Sequence, residues 1–231
     1  MAKTREFQAL LDACSQEGCI VCRLAQESTH RYLDNWKYEL FTDVELRMEL
    51  RRAQGFCHTH TWQLAAIGAS LQLAQSYREI ISDAMEQLQK GETGSQGGGL
   101  FSRLFESRRG ENGNNECPAC RQHSQAEERY AQALQQALTN EEFYRSFTGS
   151  QGLCLNHFRQ TSEAKTADAG SEWLLLLQKA QLGCLQRLDE ELGELIRKHD
   201  YRFKDEERGK EMVSWKRVAG LVAGEEDRIQ A

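Results

Sequence analysis

The chain has 231 residues, of which 39% are hydrophobic and 28% are charged, and its formal net charge is −6. This length and composition suffice to bury a core, as one large domain or as two small ones. The acidic balance argues against a general nucleic-acid-binding protein, because such proteins normally present a basic face to phosphate. No stretch reaches the roughly 18 apolar residues of a membrane span, and residues 1–12 lack the apolar core of a signal peptide. We therefore expect a cytoplasmic protein without a membrane span.

The amino-acid composition predicts an all-α fold. The chain has a single proline, few runs of β-branched residues, and long stretches rich in the helix formers Ala, Leu, Gln, Glu and Arg. In a reducing compartment and in a chain of this length, the eight cysteines favour metal or redox roles over disulfides.

The first predicted unit comprises residues 1–90 and includes a CxxC motif. After that motif, residues 23–41 carry apolar side chains among charges, without glycine or proline, and predict a helix. Thr42–Asp43 is a candidate N-cap for a shorter helix that ends at Gly55. A CxxH motif follows, and a third helix is predicted over residues 62–88.

Residues 91–116 are rich in Gly, Ser and Asn and predict a flexible linker. The linker contains a short amphipathic patch, Leu100–Phe105, which we interpret as an apolar clip that docks on the folded body. The second predicted unit, residues 117–231, repeats the order of the first. It adds a long leucine-rich helix over residues 172–198 and a C-terminal tail.

The two units share one cysteine and histidine pattern, which predicts an internal duplication of helical hairpins in a pseudo-twofold bundle. In each, the cysteine of a CxxH motif lies 35 or 34 residues after the second cysteine of CxxC, and a glycine and an apolar residue directly precede that CxxH motif. The glycine suits a left-handed helix C-cap and would place the next cysteine near a helix N-terminus. Because one helix leaves the CxxC motif and another returns, we expect each unit to complete its own metal site. The two predicted ligand sets are Cys19, Cys22, Cys57 and His60, and Cys117, Cys120, Cys154 and His157.

Three thiolates and one imidazole suit a structural, four-coordinate Zn²⁺ site, so we predict two zinc ions per chain. An iron–sulfur cluster is an alternative, because such clusters also use thiolates and accept histidine. A thioredoxin-like dithiol would need a βαβ context, and haem attachment would need histidine where Arg23 and Arg121 follow the CxxC motifs. Four protein ligands would leave no open position for a catalytic water.

Three further residues are interpreted as structural. His58 could replace His60 as a ligand, but Cys57 and His60 are three residues apart and share a helix face, so His58 is predicted to be a surface residue. Cys14 and Cys184 have no counterpart in the repeated pattern and are predicted to be small buried hydrophobic residues.

The C-terminal region mixes aromatic and charged residues. One interpretation is a ligand pocket or partner surface, in which Arg202 binds an anion and aromatic rings stack. The other is a mixed-charge tail that folds over the helices through its aromatic side chains. The candidate residues are His199, Asp200, Tyr201, Arg202 and Trp215.

These motifs resemble those of an uncharacterised prokaryotic family known only as a domain of unknown function. The similar runs are CIVC and CPAC, GFCHTH and GLCLNH, and the C-terminal KHDYRF and SWKRVAGLVAG. They span nearly the whole chain apart from the linker. Ile20 stands where the family usually has proline, which should not affect ligation. The resemblance implies the zinc-binding architecture and no activity.

The sequence thus predicts a zinc-binding helical protein that acts as a non-catalytic binding or adaptor module for an unknown protein or small-molecule partner. One alternative is a thiol-based redox sensor, in which oxidation releases zinc and loosens a hairpin. Another is an enzyme that uses His199 to Arg202, although no nucleophile–base pair or phosphate-binding loop supports it.

Overall fold

The protein is all-α, as predicted. The computed structural model describes residues 4–92, 116–163, 172–203 and 205–226, and these residues contain helices but no strand. Residues 93–115 of the predicted linker, with the Leu100–Phe105 patch, lie outside the described residues. The helices are α1 (Arg5–Ala13), α2 (Ile20–Tyr38), α3 (Val44–Arg52), α4 (His58–Ala66), α5 (Ser70–Glu92), α6 (Pro118–Ala137), α7 (Glu141–Gly149), α8 (Leu155–Glu163), α9 (Glu172–Lys198) and α10 (Ser214–Ala223), with 3₁₀ turns at Leu40–Thr42, Tyr201–Phe203 and Lys210–Val213.

Capping residues define the ends of the short helices. Asp43 and Asn140 each accept a hydrogen bond from the backbone N–H three residues on, at 3.0 and 3.1 Å, which satisfies a donor that has no partner within the helix. The single helix predicted over residues 62–88 is wrong, because Gly68 adopts a left-handed conformation with φ of 79° and separates α4 from α5.

The described residues form two compact units. Unit 1 contains the described residues up to 26 and those from 126 onward, and unit 2 contains residues 27–92 and 116–125. The boundary between the units therefore falls inside α2 and inside α6. The first turns of α2 belong to unit 1 and the rest to unit 2, whereas α6 begins in unit 2 and ends in unit 1. The sequence-based division into residues 1–90 and 117–231 stays a prediction.

Each unit buries a core of its own next to a CxxH motif. In unit 1, Phe143 and Phe147 are fully buried and stack with ring centroids 5.9 Å apart. In unit 2, buried Trp36 packs edge-to-face on Phe56, with centroids 5.1 Å apart. Phe56 and its counterpart Leu153 directly precede the cysteines of the two CxxH motifs, so the cores fix those motifs through buried neighbours.

Candidate metal centres

The structure gathers the eight predicted ligand side chains into two clusters, and within each cluster the ligand atoms lie within 4.8 Å of one another. The first, here called the closed cluster, has four buried residues; the second, here called the open cluster, leaves two cysteines partly exposed. The closed cluster consists of Cys19, Cys22, Cys154 and His157, and the open cluster consists of Cys57, His60, Cys117 and Cys120.

The predicted grouping of these ligands is wrong, because each CxxC motif joins the CxxH motif of the other half of the sequence. The physical reason is helix length. Helix α2 has 19 residues and α3 has 9, which at about 1.5 Å per residue gives roughly 28 and 14 Å. The returning helix is too short to bring Cys57 back to Cys19. Helices α6 and α7, with 20 and 9 residues, repeat the mismatch.

All four motifs lie at helix N-termini. Cys57 is the N-cap of α4, and Cys154 directly precedes α8. Cys19 and Cys117 directly precede α2 and α6, and Pro118 occupies the first position of α6, where proline is favoured. Unpaired N–H groups and the helix dipole favour thiolate over thiol at such positions.

Left-handed glycines precede both CxxH motifs, as predicted. Gly55 has φ of 97° and Gly152 has φ of 75°. A side chain at these positions would be strained, and it would also meet neighbours: a Cβ at Gly152 would lie 2.8 Å from Gln181 Oε1, and one at Gly55 would lie 3.3 Å from the Tyr77 ring. Both positions therefore require glycine.

A side chain from the following long helix clamps each motif. Gln181 of α9 accepts a hydrogen bond from Leu153 N–H at 3.0 Å and donates to Leu153 O at 2.8 Å. Tyr77 of α5 accepts from Phe56 N–H at 3.2 Å. Each clamp holds the residue before the ligand cysteine, so α5 and α9 position the sites without contributing ligands. Sequence spacing did not identify either clamp.

In the closed cluster, three cysteine sulfurs lie close to His157 Nδ1. The sulfurs of Cys19, Cys22 and Cys154 lie 3.5, 3.3 and 3.2 Å from this nitrogen, and the Cys22 and Cys154 sulfurs are 3.8 Å apart. The other ring nitrogen, Nε2, lies 2.8 Å from Glu127 Oε1. A carboxylate in this position fixes the ring orientation and tautomer of a metal-binding histidine. Sequence analysis missed Glu127, because nothing in its spacing on α6 links it to His157.

The open cluster has the same arrangement around His60 Nδ1. The sulfurs of Cys57, Cys117 and Cys120 lie 3.1, 3.6 and 3.5 Å from this nitrogen, and the Cys57 and Cys120 sulfurs are 3.7 Å apart. All eight cysteines of the chain are free thiols, so none of these contacts is a disulfide. Both donor sets can hold a four-coordinate metal ion.

Shared hydrogen bonds shift the pKa values within the closed cluster in opposite directions. Burial and hydrogen bonds to the neighbouring thiols raise the pKa of Cys19, whereas hydrogen bonds from Cys19 and Cys22 lower that of Cys154. Burial lowers the pKa of His157, but hydrogen bonds to Cys154, Cys22 and Glu127 outweigh it and raise the pKa to about 11. Without metal, Cys154 therefore loses its proton more readily than Cys19, and the protonated imidazole of His157 lies beside it.

The open cluster also favours one thiolate. A hydrogen bond from Cys120 is the main cause that lowers the pKa of Cys117, to about 3, while the same bond raises the pKa of Cys120. Burial raises the pKa of Cys57. A metal ion must displace the remaining protons, so its affinity for both clusters falls as the pH falls.

The structure does not gather the C-terminal candidate residues into a site. Tyr201 is 80% exposed and Trp215 is 54% exposed, and His199 is also exposed. Arg202 forms an ion pair at 2.7 Å with Asp200, two residues away. This arrangement gives no support to a ligand pocket at these residues.

The residues interpreted as structural have the predicted environments. His58 is exposed and its ring packs edge-on against Trp62, while His60 contacts the thiols. Cys14 and Cys184 are both buried in unit 1. Among the described helices, none is both long and apolar enough to cross a membrane.

Comparisons with known proteins identify relatives but no activity. A family model described as "Family of unknown function (DUF6062)" matches residues 6–228. The chain is 22% identical over 217 residues to an uncharacterized 23.9 kDa protein in the xynA 3′ region of Caldicellulosiruptor sp. (strain Rt8B.4), and the alignment covers 93% of this chain and 99% of that protein. No solved structure matches the chain.

Proposed function

The chain belongs to the family of unknown function DUF6062, and we propose that it is a zinc-binding helical protein whose two structural Cys3His sites stabilise a non-catalytic binding or adaptor module. The observation that carries the proposal is the convergence of three sulfurs and one imidazole nitrogen at each of two places. Zinc sites with four protein ligands are typically structural, because no coordination position remains for a reacting water.

The distances within the clusters support zinc. A zinc tetrahedron with bonds of about 2.3 Å to sulfur and about 2.0 Å to nitrogen separates two sulfurs by about 3.8 Å and sulfur from nitrogen by about 3.5 Å. The corresponding distances are 3.8 and 3.7 Å for one sulfur pair in each cluster and 3.1 to 3.6 Å between sulfur and nitrogen, and all ligand atoms of a cluster lie within 4.8 Å of one another. An iron–sulfur cluster with several irons distributes its ligands over different metal atoms and needs a wider cage. The compact cages therefore favour one ion each.

The structural role follows from the separation of the ligands in sequence. Cys22 and Cys154 are 132 residues apart, and Cys57 and Cys120 are 63 residues apart. A metal ion that joins such distant residues closes long loops and binds the folded chain far better than the unfolded one. The proposal includes a duplication in which the two copies exchange motifs. Helices α2 to α5 have 19, 9, 9 and 23 residues, and helices α6 to α9 have 20, 9, 9 and 27 residues. The matching order of lengths supports the duplication.

Elemental analysis of the full chain, purified under reducing conditions without added metal, tests this function. We expect two zinc ions per chain, no visible colour, and a large loss of helical circular dichroism and thermal stability on chelation. Cobalt substitution should give the intense visible bands of tetrahedral thiolate coordination. Brown protein containing iron, or a chain that keeps its full stability without metal, would contradict the proposal.

A second candidate function is thiol-based sensing at the open cluster, and it is favoured by the partial exposure of Cys57 and Cys120. Their sulfurs are 3.7 Å apart and can form a disulfide with little movement. In that step the two thiolates lose two electrons to a hydroperoxide. The hydroperoxide takes up two protons and becomes an alcohol and water, and the zinc ion is released.

Mild hydroperoxide treatment of the zinc-loaded chain separates the two functions. A sensor should release one zinc ion per chain and form a Cys57–Cys120 disulfide that peptide mass spectrometry detects, and a reductant with zinc should reverse both changes. The matched control is Cys184→Ala, which removes a buried thiol outside both clusters and should respond like the parent. Retention of both ions, or earlier loss from the closed cluster, would eliminate the sensor.

A further inference from the structure

The segment that follows the last helix lies against the closed cluster. Helix α10 ends at Ala223, and Gly224, with φ of 85°, turns the chain sharply. A Cβ placed on Gly224 would lie 3.9 Å from Cys22 Sγ. We call Gly224–Glu225 the C-terminal strap.

Glu225 anchors the strap to the start of α2. Its Oε1 accepts a hydrogen bond from Cys19 N–H at 3.1 Å, and its backbone oxygen accepts one from Gln26 Nε2 at 3.0 Å. The first bond satisfies a donor at the N-terminus of α2, where a carboxylate is favoured by the helix dipole. The strap is therefore hydrogen-bonded to the first residue of the CxxC motif and to Gln26, one turn beyond its last residue.

Two glycines leave the space that the Glu225 carboxylate fills. A Cβ at Gly18 would lie 2.6 Å from Glu225 Cδ, and one at Gly220 would lie 2.6 Å from Glu225 Oε1. Gly18 has φ of 90°, which independently favours glycine, but Gly220 lies within helix α10, where glycine weakens the helix. Room for the carboxylate is a physical reason for glycine at this helical position.

Only a small space remains between the strap and the ligands. A cavity of about 20 Å³ is lined by Glu225 and by two of the ligand cysteines, Cys19 and Cys154. Arg217 also lines it, and its Nε is buried without a hydrogen-bond partner among the described residues. This volume holds about one water molecule. A chelator or competing thiol is far larger than this space.

We propose that the C-terminal strap is a seal that controls metal exchange at the closed cluster, so that its ion leaves only when Glu225 detaches. The proposal rests on the metal-binding function proposed above. At the open cluster, by contrast, two of the ligand cysteines are already partly exposed in the folded chain.

Chelator-induced zinc release from the full chain tests the seal. A chromophoric chelator should remove the two ions in a fast and a slow phase, and His60→Ala assigns the fast phase to the open cluster by abolishing it. Glu225→Ala should accelerate the slow phase by about tenfold or more, the effect of losing a charge-assisted hydrogen bond from the closed state. The fast phase should not change. A slow phase unaffected by Glu225→Ala would overturn the seal.

Gly220→Ala provides an independent variant with a matched control. Its methyl group should displace the Glu225 carboxylate and accelerate the slow phase, although alanine itself favours the helix. Gly193→Ala makes the same change in α9, where a Cβ meets nothing within 4 Å, and should leave both phases unchanged. In the Glu225→Ala background, Gly220→Ala should add nothing. An unchanged slow phase in Gly220→Ala, or equal effects of both glycine variants, would contradict the proposal.

The zinc content before chelation distinguishes the two possible failures. If the purified chain holds no zinc and binds none on addition, the proposed function fails and the seal with it. If the chain holds two ions and the variants release them at the parent rates, only the seal fails. Circular dichroism before chelation confirms that Glu225→Ala and Gly220→Ala retain the parent helix content, so a faster release reports local opening.

Discussion

The closed and open clusters each combine one CxxC motif with one CxxH motif and have the same four ligand types, yet different surroundings. All four ligand residues of the closed cluster are buried, and Glu127 contacts the histidine. The strap residue Glu225 accepts a hydrogen bond from the backbone N–H of Cys19. The open cluster leaves Cys57 and Cys120 partly exposed. The comparison teaches that the motifs supply the side chains that could hold a metal ion, while residues outside the motifs set the surroundings of each cluster.

The comparison also assigns different chemistry to two similar sites. A thiolate reacts with an oxidant or a competing ligand only when it is accessible, so burial protects the closed cluster and exposure leaves the open one reactive. Under the proposed zinc-binding function, the ion in the closed cluster should therefore exchange more slowly than the ion in the open cluster. The predictions below test whether the two sites are independent and what separates them.

The largest expected effect tests which motifs share an ion. Cys22→Ser with Cys154→Ser removes two ligands of the closed cluster only, so one zinc ion per chain should remain. Cys22→Ser with Cys57→Ser removes one ligand from each cluster and should weaken both sites. Zinc content after dialysis against a weak chelator measures the difference. The opposite result would restore the grouping within each half of the sequence.

The failure of that grouping shows where sequence reasoning ends. The cysteines and histidines of the motifs, the left-handed glycines and the N-cap at Thr42–Asp43 depend on local chemistry, and local patterns predicted them. The pairing of motifs depends on where helices end. The interval from Thr42 to Gly55 already indicates that the returning helix is shorter than α2. The distance that remains between Cys57 and Cys19 follows only from the helix lengths in the structure, 9 residues for α3 and 19 for α2. Glu127 and Glu225 reach the closed cluster through tertiary packing, which no spacing reveals.

Gly152→Ala and Gly55→Ala compare the turns that lead into the two clusters. Both place a side chain at positive φ, which costs about 1–2 kcal/mol. At Gly152 the methyl group would also displace Gln181 and its two hydrogen bonds to Leu153, so a total loss of about 2–4 kcal/mol is expected. Urea unfolding of the zinc-loaded chains measures both. Gly149→Ala, where a Cβ meets nothing within 4 Å, is the control. Equal losses at the two glycines would show that displacing Gln181 costs no more than crowding Tyr77.

Glu127→Gln tests the carboxylate beside His157. The amide preserves the shape but not the charge that orients the ring, so zinc affinity at the closed cluster should fall by about 10-fold or more. Competition with a chelator of known affinity measures both sites in one titration, and the open cluster serves as the internal control. A uniform loss at both sites would indicate a general loss of stability.

Cys14→Ala separates the effect of burial from that of metal binding within unit 1, because Cys14 is buried there but is not a ligand. Burial, and then the charge of Cys184, raise the pKa of Cys14 from 9.0 to about 12. Its contribution to stability is therefore complete below pH 9 and is lost as the pH rises toward 12, at up to about 1.4 kcal/mol per pH unit. The zinc ligands are the same in the two chains, so their contribution to the pH dependence cancels in the comparison. Urea midpoints of the zinc-loaded chain between pH 8 and about pH 10.5 should fall less steeply for Cys14→Ala than for the parent. Parallel profiles would show that Cys14 titrates in the folded chain as it does in the unfolded one, and that its burial does not hold the proton.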